Sequence, residues 1–241
     1  MPVVRVPGRD FDIDVVVFDK DGTLIDLDAS WAPVARSWIG AVAGDDDRLT
    51  RDLAELLGYD APAGRLVPDS TFAAGTLGDV GDATAGRLID VGWSPAAVSS
   101  ALAAAREAVE AVALNNPADT LADLGPLFSQ LTAAGVAVAV LTSDDRAPTV
   151  EFLEQVDVHL LVSAVVTADD VDHPKPHPDG LQRIGRALGV AAERTLMVGD
   201  SLADHQAARA AGAWFVAVGH GSAASVGADA TVACVAELTV A

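Results

Sequence analysis

The stretch Ile13-Asp14-Val15-Val16-Val17-Phe18-Asp19-Lys20-Asp21-Gly22-Thr23-Leu24 runs from an apolar segment directly into a charged turn. Successive β-branched residues, without polar alternation, mark a strand buried on both faces, as in a parallel sheet. Asp19 and Asp21 then fall just past the strand's carboxyl end, where open parallel sheets bind their ligands. Gly22 permits a tight turn that can bring both carboxylates toward one cavity. Paired carboxylates can divide chemical labour, one attacking while the other donates a proton. A bare Asp-x-Asp is usually a solvated turn; the strand before it and the Gly-Thr-Leu after it set this one apart.

Four further apolar runs of the same kind follow: Val136–Leu141, Leu160–Val166, Thr195–Val198 and Trp214–Val218. Helical patterns separate them, over Leu121–Ala134, Pro148–Gln155, Asp179–Leu188 and Ser201–Ala211, three of them closed by Gly135, Gly189 and Gly212. This alternation predicts an α/β fold, a doubly wound parallel sheet of Rossmann-like type. Residues 26–116 differ. Their apolar positions recur at helical spacing, Pro95–Leu114 reads as a long alanine-rich helix, and Leu88–Asp90 is the one weak strand candidate. The expected organisation is a core of residues 1–25 and 117–241 with a helical cap domain, 26–116, inserted after the first strand.

Composition narrows the function. The 241 residues are 51% apolar, enough for a sizeable core. The net charge is −20, with 28 Asp, 7 Glu, 13 Arg and only 2 Lys. So acidic a chain repels nucleic acid and anionic membranes, and neither is expected as a partner. No apolar run is long enough to span a bilayer and no signal segment precedes the first acidic residues, so a cytoplasmic location is expected. The single cysteine, Cys234, excludes an intrachain disulfide and reads as a buried, inert thiol.

Three later segments place polar groups at strand ends. Thr142, ending the second strand, offers a hydroxyl to a phosphoryl oxygen, and the following Ser143 a backbone N–H. Lys175, one of the two lysines, sits between prolines in His173-Pro174-Lys175-Pro176-His177-Pro178-Asp179. A stiff loop there would hold the ammonium in one place, able to neutralise a carboxylate and a phosphoryl group together. Gly199-Asp200-Ser201-Leu202-Ala203-Asp204 puts two carboxylates four residues apart across a first helical turn, hard oxygen ligands suited to Mg²⁺; the alternative is helix capping by Asp200 or Ser201, which could coexist with metal binding.

In this order the four segments resemble the haloacid dehalogenase superfamily, over roughly residues 10–25 and 117–220, and within it the phosphoglycolate-phosphatase-like group. The resemblance implies Asp19 as a nucleophile that forms an aspartyl-phosphate and binds Mg²⁺. It implies Asp21 as general acid/base that also lends its backbone carbonyl to the metal. Thr142 and Ser143 would grip the phosphoryl oxygens, Lys175 would steady nucleophile and phosphate, Asp200 would ligate Mg²⁺, and Asp204 would support the metal site. The implied reaction is hydrolysis of a small phosphorylated metabolite, phosphoglycolate or a sugar phosphate among the options.

An acid at position 21 argues against halide displacement, which needs no proton donor. The absence of lysine from 26–116 argues against a Schiff-base phosphonate hydrolase. A sugar-phosphate mutase, and a non-catalytic binding protein retaining the fold, stay open. Asp144 departs from the family, whose members often carry Asn earlier in that loop. In the insertion, Arg36, Arg65 and Trp31 are the candidates for gripping a leaving group, with Trp31 and Trp38 alternatively anchoring its core. The five histidines are expected to pack or face solvent, His205 and His220 lying nearest the cavity.

Overall fold

A computed structural model describes residues 2–113, 119–219 and 227–241. The chain divides into two compact units, Met1–Asp26 with Thr120–Ala241, and Leu27–Asp119.

The first unit is built on a six-stranded sheet. It opens with a hairpin, β1 (Val3–Val6) and β2 (Arg9–Asp12), before the central strand β3 (Val15–Phe18). After the insertion come α6 (Leu124–Ala133), β6 (Ala137–Leu141), α7 (Arg146–Gln155), β7 (Ala164–Val166), α8 (Asp179–Leu188), β8 (Thr195–Gly199), α9 (Leu202–Ala211), β9 (Trp214–Val218), β10 (Ala230–Val232) and β11 (Thr239–Val240). Strand order is β10-β9-β8-β3-β6-β7, and the pairings are parallel. From β3 the chain winds outward through β6 and β7, then crosses back to β8 and winds the other way. The order reverses beside β3, and it is outside the carboxyl ends of the strands at such a reversal that open parallel sheets bind their ligands. This is the doubly wound sheet that the apolar runs predict.

All four residues of β3 are buried, because the strand is paired on both edges and covered on both faces. Val15, Val17, Ala139, Leu141, Met197, Phe215 and Ala217 pack with Leu181 and Ile184 of α8 and Ala207 and Ala208 of α9. Aliphatic side chains fill most of this layer, in keeping with an aromatic-poor composition.

The structure corrects several boundaries. The run Leu160–Val166 begins as a 3₁₀ turn, His159–Leu161, with Leu160 largely exposed, and only its last three residues form β7. α6 starts at Leu124 rather than Leu121, whose N–H is taken by the Leu24 carbonyl at 2.9 Å. α7 starts two residues before Pro148, which sits in the first turn where its missing N–H has no helical partner. The β1–β2 hairpin, turned at Gly8 (φ 82°), pairs with β11 in a separate antiparallel sheet that apolar runs alone do not reveal. Cys234 is half-buried at the start of a 3₁₀ turn rather than deep in a core.

The second unit is helical: α1 (Leu27–Ala43), α2 (Asp47–Leu57), α3 (Thr71–Ala74), α4 (Leu77–Asp90) and α5 (Pro95–Ala113), with one short hairpin, β4 (Tyr59–Asp60) and β5 (Arg65–Leu66), between α2 and α3. Residues 88–90, the weak strand candidate, end α4 instead. Asp46 caps α2 by accepting from the N–H groups of Arg48 and Leu49, and Thr76 and Asp79 form a capping box on α4. Trp38 is fully buried here, and its indole N–H donates to Thr84 Oγ1 at 3.0 Å. Trp31 is partly buried against the same cluster.

Replacing Trp38 with Ala removes both the largest buried side chain of this unit and its hydrogen bond. Urea unfolding followed by far-ultraviolet circular dichroism should show a loss of about 3–5 kcal/mol; a loss under about 1 kcal/mol would show that Trp38 is not the anchor of this core.

Candidate active site

Asp19 begins where β3 stops. Its N–H still donates to the Val198 carbonyl of β8 at 2.9 Å, so its backbone is fixed by the sheet. The chain then curls: the Lys20 carbonyl accepts from the N–H groups of Leu24 (2.8 Å) and Ile25 (3.1 Å), and Gly22 N–H donates to the Ile25 carbonyl at 2.9 Å. Gly22 has φ 82°, and a Cβ there would lie 2.4 Å from Asp200 Oδ2. Only glycine lets the first loop pass that close to the Asp200 carboxylate.

Lys175 is buried, and its ammonium donates to Asp19 Oδ1 at 2.6 Å and to Asp204 Oδ1 at 2.7 Å. It reaches there from the proline-framed loop before α8, whose Lys175–Pro176 peptide is cis. Asp204 is held in turn. Its Oδ2 accepts from Ser201 Oγ at 2.7 Å and Ser201 N–H at 3.1 Å, while Ser201 Oγ accepts from Asp204 N–H, a capping box that starts α9. Ser201, not Asp200, is therefore the helix cap. A Cβ on Gly199 would come within 2.4 Å of Asp204 Oδ2, so the glycine before Asp200 makes room for the capping carboxylate.

The second lysine has a matching place. Lys20 is buried, and its ammonium contacts the Asp21 carboxylate at 3.0 Å and donates to Asp144 Oδ2 at 2.8 Å. Asp144 Oδ1 accepts from Asp145 N–H at 2.8 Å, and Asp144 N–H donates to Thr142 Oγ1 at 3.1 Å. Thr142 is buried at the end of β6, and Ser143 beside it is partly buried. The sequence singled out neither Lys20 nor Asp144 as a pair. The available signal was that two lysines in so acidic a chain both fall inside recognisable motifs.

Asp19, Asp200 and Asp204 present carboxylate oxygens within 4.8 Å of one another. With Asp21 and Asp144 the site holds five carboxylates against two ammonium groups. Burial pushes Asp19 well above the ordinary carboxylate range; Lys175 pulls it down, while Asp204, Asp200 and Asp21 push it further up. Burial, then the neighbouring Asp204, push Asp200 up to about 7. Burial disfavours the charge on Lys175 and Lys20, but their carboxylate partners outweigh it and hold both above the usual lysine range. The uncompensated negative charge and the all-oxygen donor set fit a hard divalent cation.

The remaining candidates lie in the helical unit. Arg36 Nε donates to the Tyr59 hydroxyl at 3.2 Å, and Arg65 Nε lies 3.9 Å from Asp60 Oδ2 across the β4–β5 hairpin. Arg36 and Arg65 are exposed. His205 packs edge-on against Phe215 at 5.3 Å; burial and then Arg209 hold its pKa below the usual histidine value, consistent with a packing role. His220 lies outside the described residues.

The chain belongs to the haloacid dehalogenase-like hydrolase family, whose model matches residues 13–212. Over 91 residues it is 37% identical to the phosphoglycolate phosphatase of Escherichia coli (strain K12), a match covering 38% of this chain and 36% of that enzyme. It thus spans about a third of the length of the curated relatives it matches. A predicted phosphoglycolate phosphatase from Haemophilus somnus 129PT superposes with TM-score 0.71 at 18% identity, over 94% of this chain and 96% of the other. CbbY from Rhodobacter sphaeroides, in complex with phosphate, superposes with TM-score 0.63 at 22% identity, over 93% and 96%. At these identities the structures establish a shared fold.

Lys20 neutralises two carboxylates that are nearly buried, so removing it strands charge. Lys20→Met should cost about 3–5 kcal/mol, whereas the Lys20→Met/Asp144→Leu pair should cost less than the sum of its single changes by at least about 1 kcal/mol. Strict additivity in urea unfolding would show that the two side chains are not coupled.

Proposed function

We propose that the chain is a Mg²⁺-dependent phosphatase that hydrolyses a small phosphomonoester through an aspartyl-phosphate on Asp19. The observation that carries this reading is Asp19 itself: a carboxylate fixed at the end of the central strand, held at 2.6 Å by a buried lysine, with a second carboxylate two residues on. The family match supports hydrolysis, and the phosphoglycolate phosphatase relative supports a small organic phosphate as substrate.

Each residue then has a role. Lys175 fixes the Asp19 carboxyl and keeps it from turning away as an anionic phosphate approaches. Asp19 attacks phosphorus; the Asp–O–P bond forms as the bond from phosphorus to the ester oxygen breaks. Asp21, protonated at this stage, gives its proton to the departing alcohol oxygen. Now a carboxylate, it takes a proton from water as that water's oxygen attacks phosphorus, releasing inorganic phosphate and restoring Asp19. Lys20 holds the Asp21 carboxyl in place through both steps. Thr142 and the Ser143 backbone N–H, at the neighbouring strand end, bind phosphoryl oxygens. Asp19, Asp200 and the Asp21 carbonyl would hold Mg²⁺, with Asp204 supporting them through Lys175. Bound there, Mg²⁺ supplies positive charge against the nucleophile and the phosphoryl oxygens. Arg36, Arg65 and Trp31 of the helical unit are the proposed contacts to the leaving group.

Phosphate release from a panel of phosphorylated metabolites, p-nitrophenyl phosphate included, tests the reading. The wild-type chain should release inorganic phosphate with Mg²⁺ and stop on chelation. Asp19→Asn should lower the rate more than about 10³-fold with the fold intact. Substantial activity in Asp19→Asn, or in chelator, would overturn it.

A second outcome concerns stability. With Asp200 held up at about 7, the folded chain carries more protons than the unfolded one between the ordinary carboxylate range and neutrality, so stability without metal falls as pH rises through that window. A divalent cation offsets the exposed charge only once the carboxylates ionise. Adding Mg²⁺ should therefore raise Tm by several degrees near about pH 8 and by much less near about pH 5. An equal rise at both, or none, would contradict this charge balance.

A further inference from the structure

The loop that delivers Lys175 carries a second cluster on its solvent side. His173 Nδ1 lies 3.0 Å from Asp179 Oδ2, and His177 Nδ1 lies 3.0 Å from Asp179 Oδ1. The two imidazole rings are tilted toward each other with centroids 4.7 Å apart. Ligand-capable atoms of all three residues fall within 4.8 Å of one another.

We infer that His173, His177 and Asp179 form a binding site for a borderline divalent transition-metal ion, Zn²⁺ being the simplest occupant. It is a separate site from the buried all-carboxylate set. The donor chemistry differs: two imidazole nitrogens and a carboxylate suit Zn²⁺, Co²⁺ or Ni²⁺, while oxygen-only sets suit Mg²⁺. The placement also fits: one ligand-capable atom from each residue lies within 4.8 Å of the other two, and each histidine Nδ1 already faces its own oxygen of the Asp179 carboxylate. Three protein ligands leave an open position, which solvent can fill because the His173 and His177 side chains are 66% and 48% exposed. Pro174, Pro176 and Pro178 alternate with the residues of the loop, and each fixes its own φ, so little backbone freedom is lost when the three ligands are drawn together.

The site has a consequence for the loop. Lys175 lies between the two histidines in sequence, with its side chain buried on Asp19 and Asp204. An ion joining His173, His177 and Asp179 would clip the loop on both sides of Lys175 and tie it to the first turn of α8.

The test uses the full chain, stripped with chelator and then saturated with Mg²⁺ to fill the oxygen set. Equilibrium dialysis with Zn²⁺ should show one tight equivalent. Co²⁺ in its place should develop the intense visible bands of a tetrahedral ion. His173→Ala and His177→Ala should each weaken Zn²⁺ binding at least about tenfold, whereas Asp19→Asn should leave it unchanged. In folded wild-type protein, the imidazole proton signals of His173 and His177 should shift on adding Zn²⁺, a readout that does not depend on any variant folding. Undiminished Zn²⁺ binding in both histidine variants, unmoved His173 and His177 signals, or Zn²⁺ uptake abolished by Mg²⁺ or by Asp19→Asn would each overturn the site.

Discussion

The ammonium of Lys175, shared between Asp19 and Asp204, is the interaction on which the rest of the site depends. Three charges are brought out of water within hydrogen-bond distance of one another. Removing carboxylates from water is unfavourable unless each finds a partner, and here one lysine serves two of them. Because Asp204 also caps α9 through Ser201, the same contact links the start of that helix to the end of β3 and to the loop before α8. The position of Asp19, the helix register and the loop position are set together. A displacement of any one of them moves the Lys175 ammonium away from Asp19.

The second lysine repeats the arrangement one strand over. Lys20 spans Asp21 and Asp144, and Asp144 is itself bound to the Thr142 hydroxyl and to the Asp145 N–H. The chain's two lysines thus both serve as buried bridges between carboxylates at the carboxyl ends of parallel strands. Elsewhere its positive side chains are arginines, several of which pair with carboxylates at the surface, as Arg194 does with Asp12 and Asp14. A compact ammonium suits a small cavity bounded by strand ends; a planar guanidinium needs more room. Even so, carboxylates outnumber ammonium groups in the site, and that imbalance makes it receptive to a divalent cation.

Much of this was legible in the sequence because the decisive residues sit at boundaries that local patterns mark. Val15–Phe18, Thr195–Gly199 and Trp214–Val218 are continuous apolar strands, and Asp19 and Asp200 follow two of them directly. Gly189 and Gly212 end their helices with positive φ, as their positions suggest. What escaped was long-range or too short to carry a period. The Lys20–Asp144 bridge joins residues 124 apart. β11 has two residues and pairs with a hairpin at the other end of the chain. The β4–β5 hairpin in the helical unit is equally short, and Leu88–Asp90, which has strand-like composition, forms the last residues of the helix that Thr76 caps. Tertiary context decided each of these against or without local propensity.

The helical unit follows a different logic. Its core is organised around Trp38 and is closed by caps at Asp46 and Thr76, devices that stabilise a fold without committing it to a ligand. Arg36 and Arg65 are engaged within the unit, with Tyr59 and Asp60. The proposed chemistry, by contrast, begins at Asp19. The most direct measurement is mass spectrometry of peptides from the protein quenched in acid during turnover of a phosphomonoester. The aspartyl-phosphate mechanism predicts one phosphoryl group on the peptide containing Asp19, removed by hydroxylamine and absent from Asp19→Asn. A phosphoryl group on any other residue, or none on Asp19 while phosphate is being released, would contradict it.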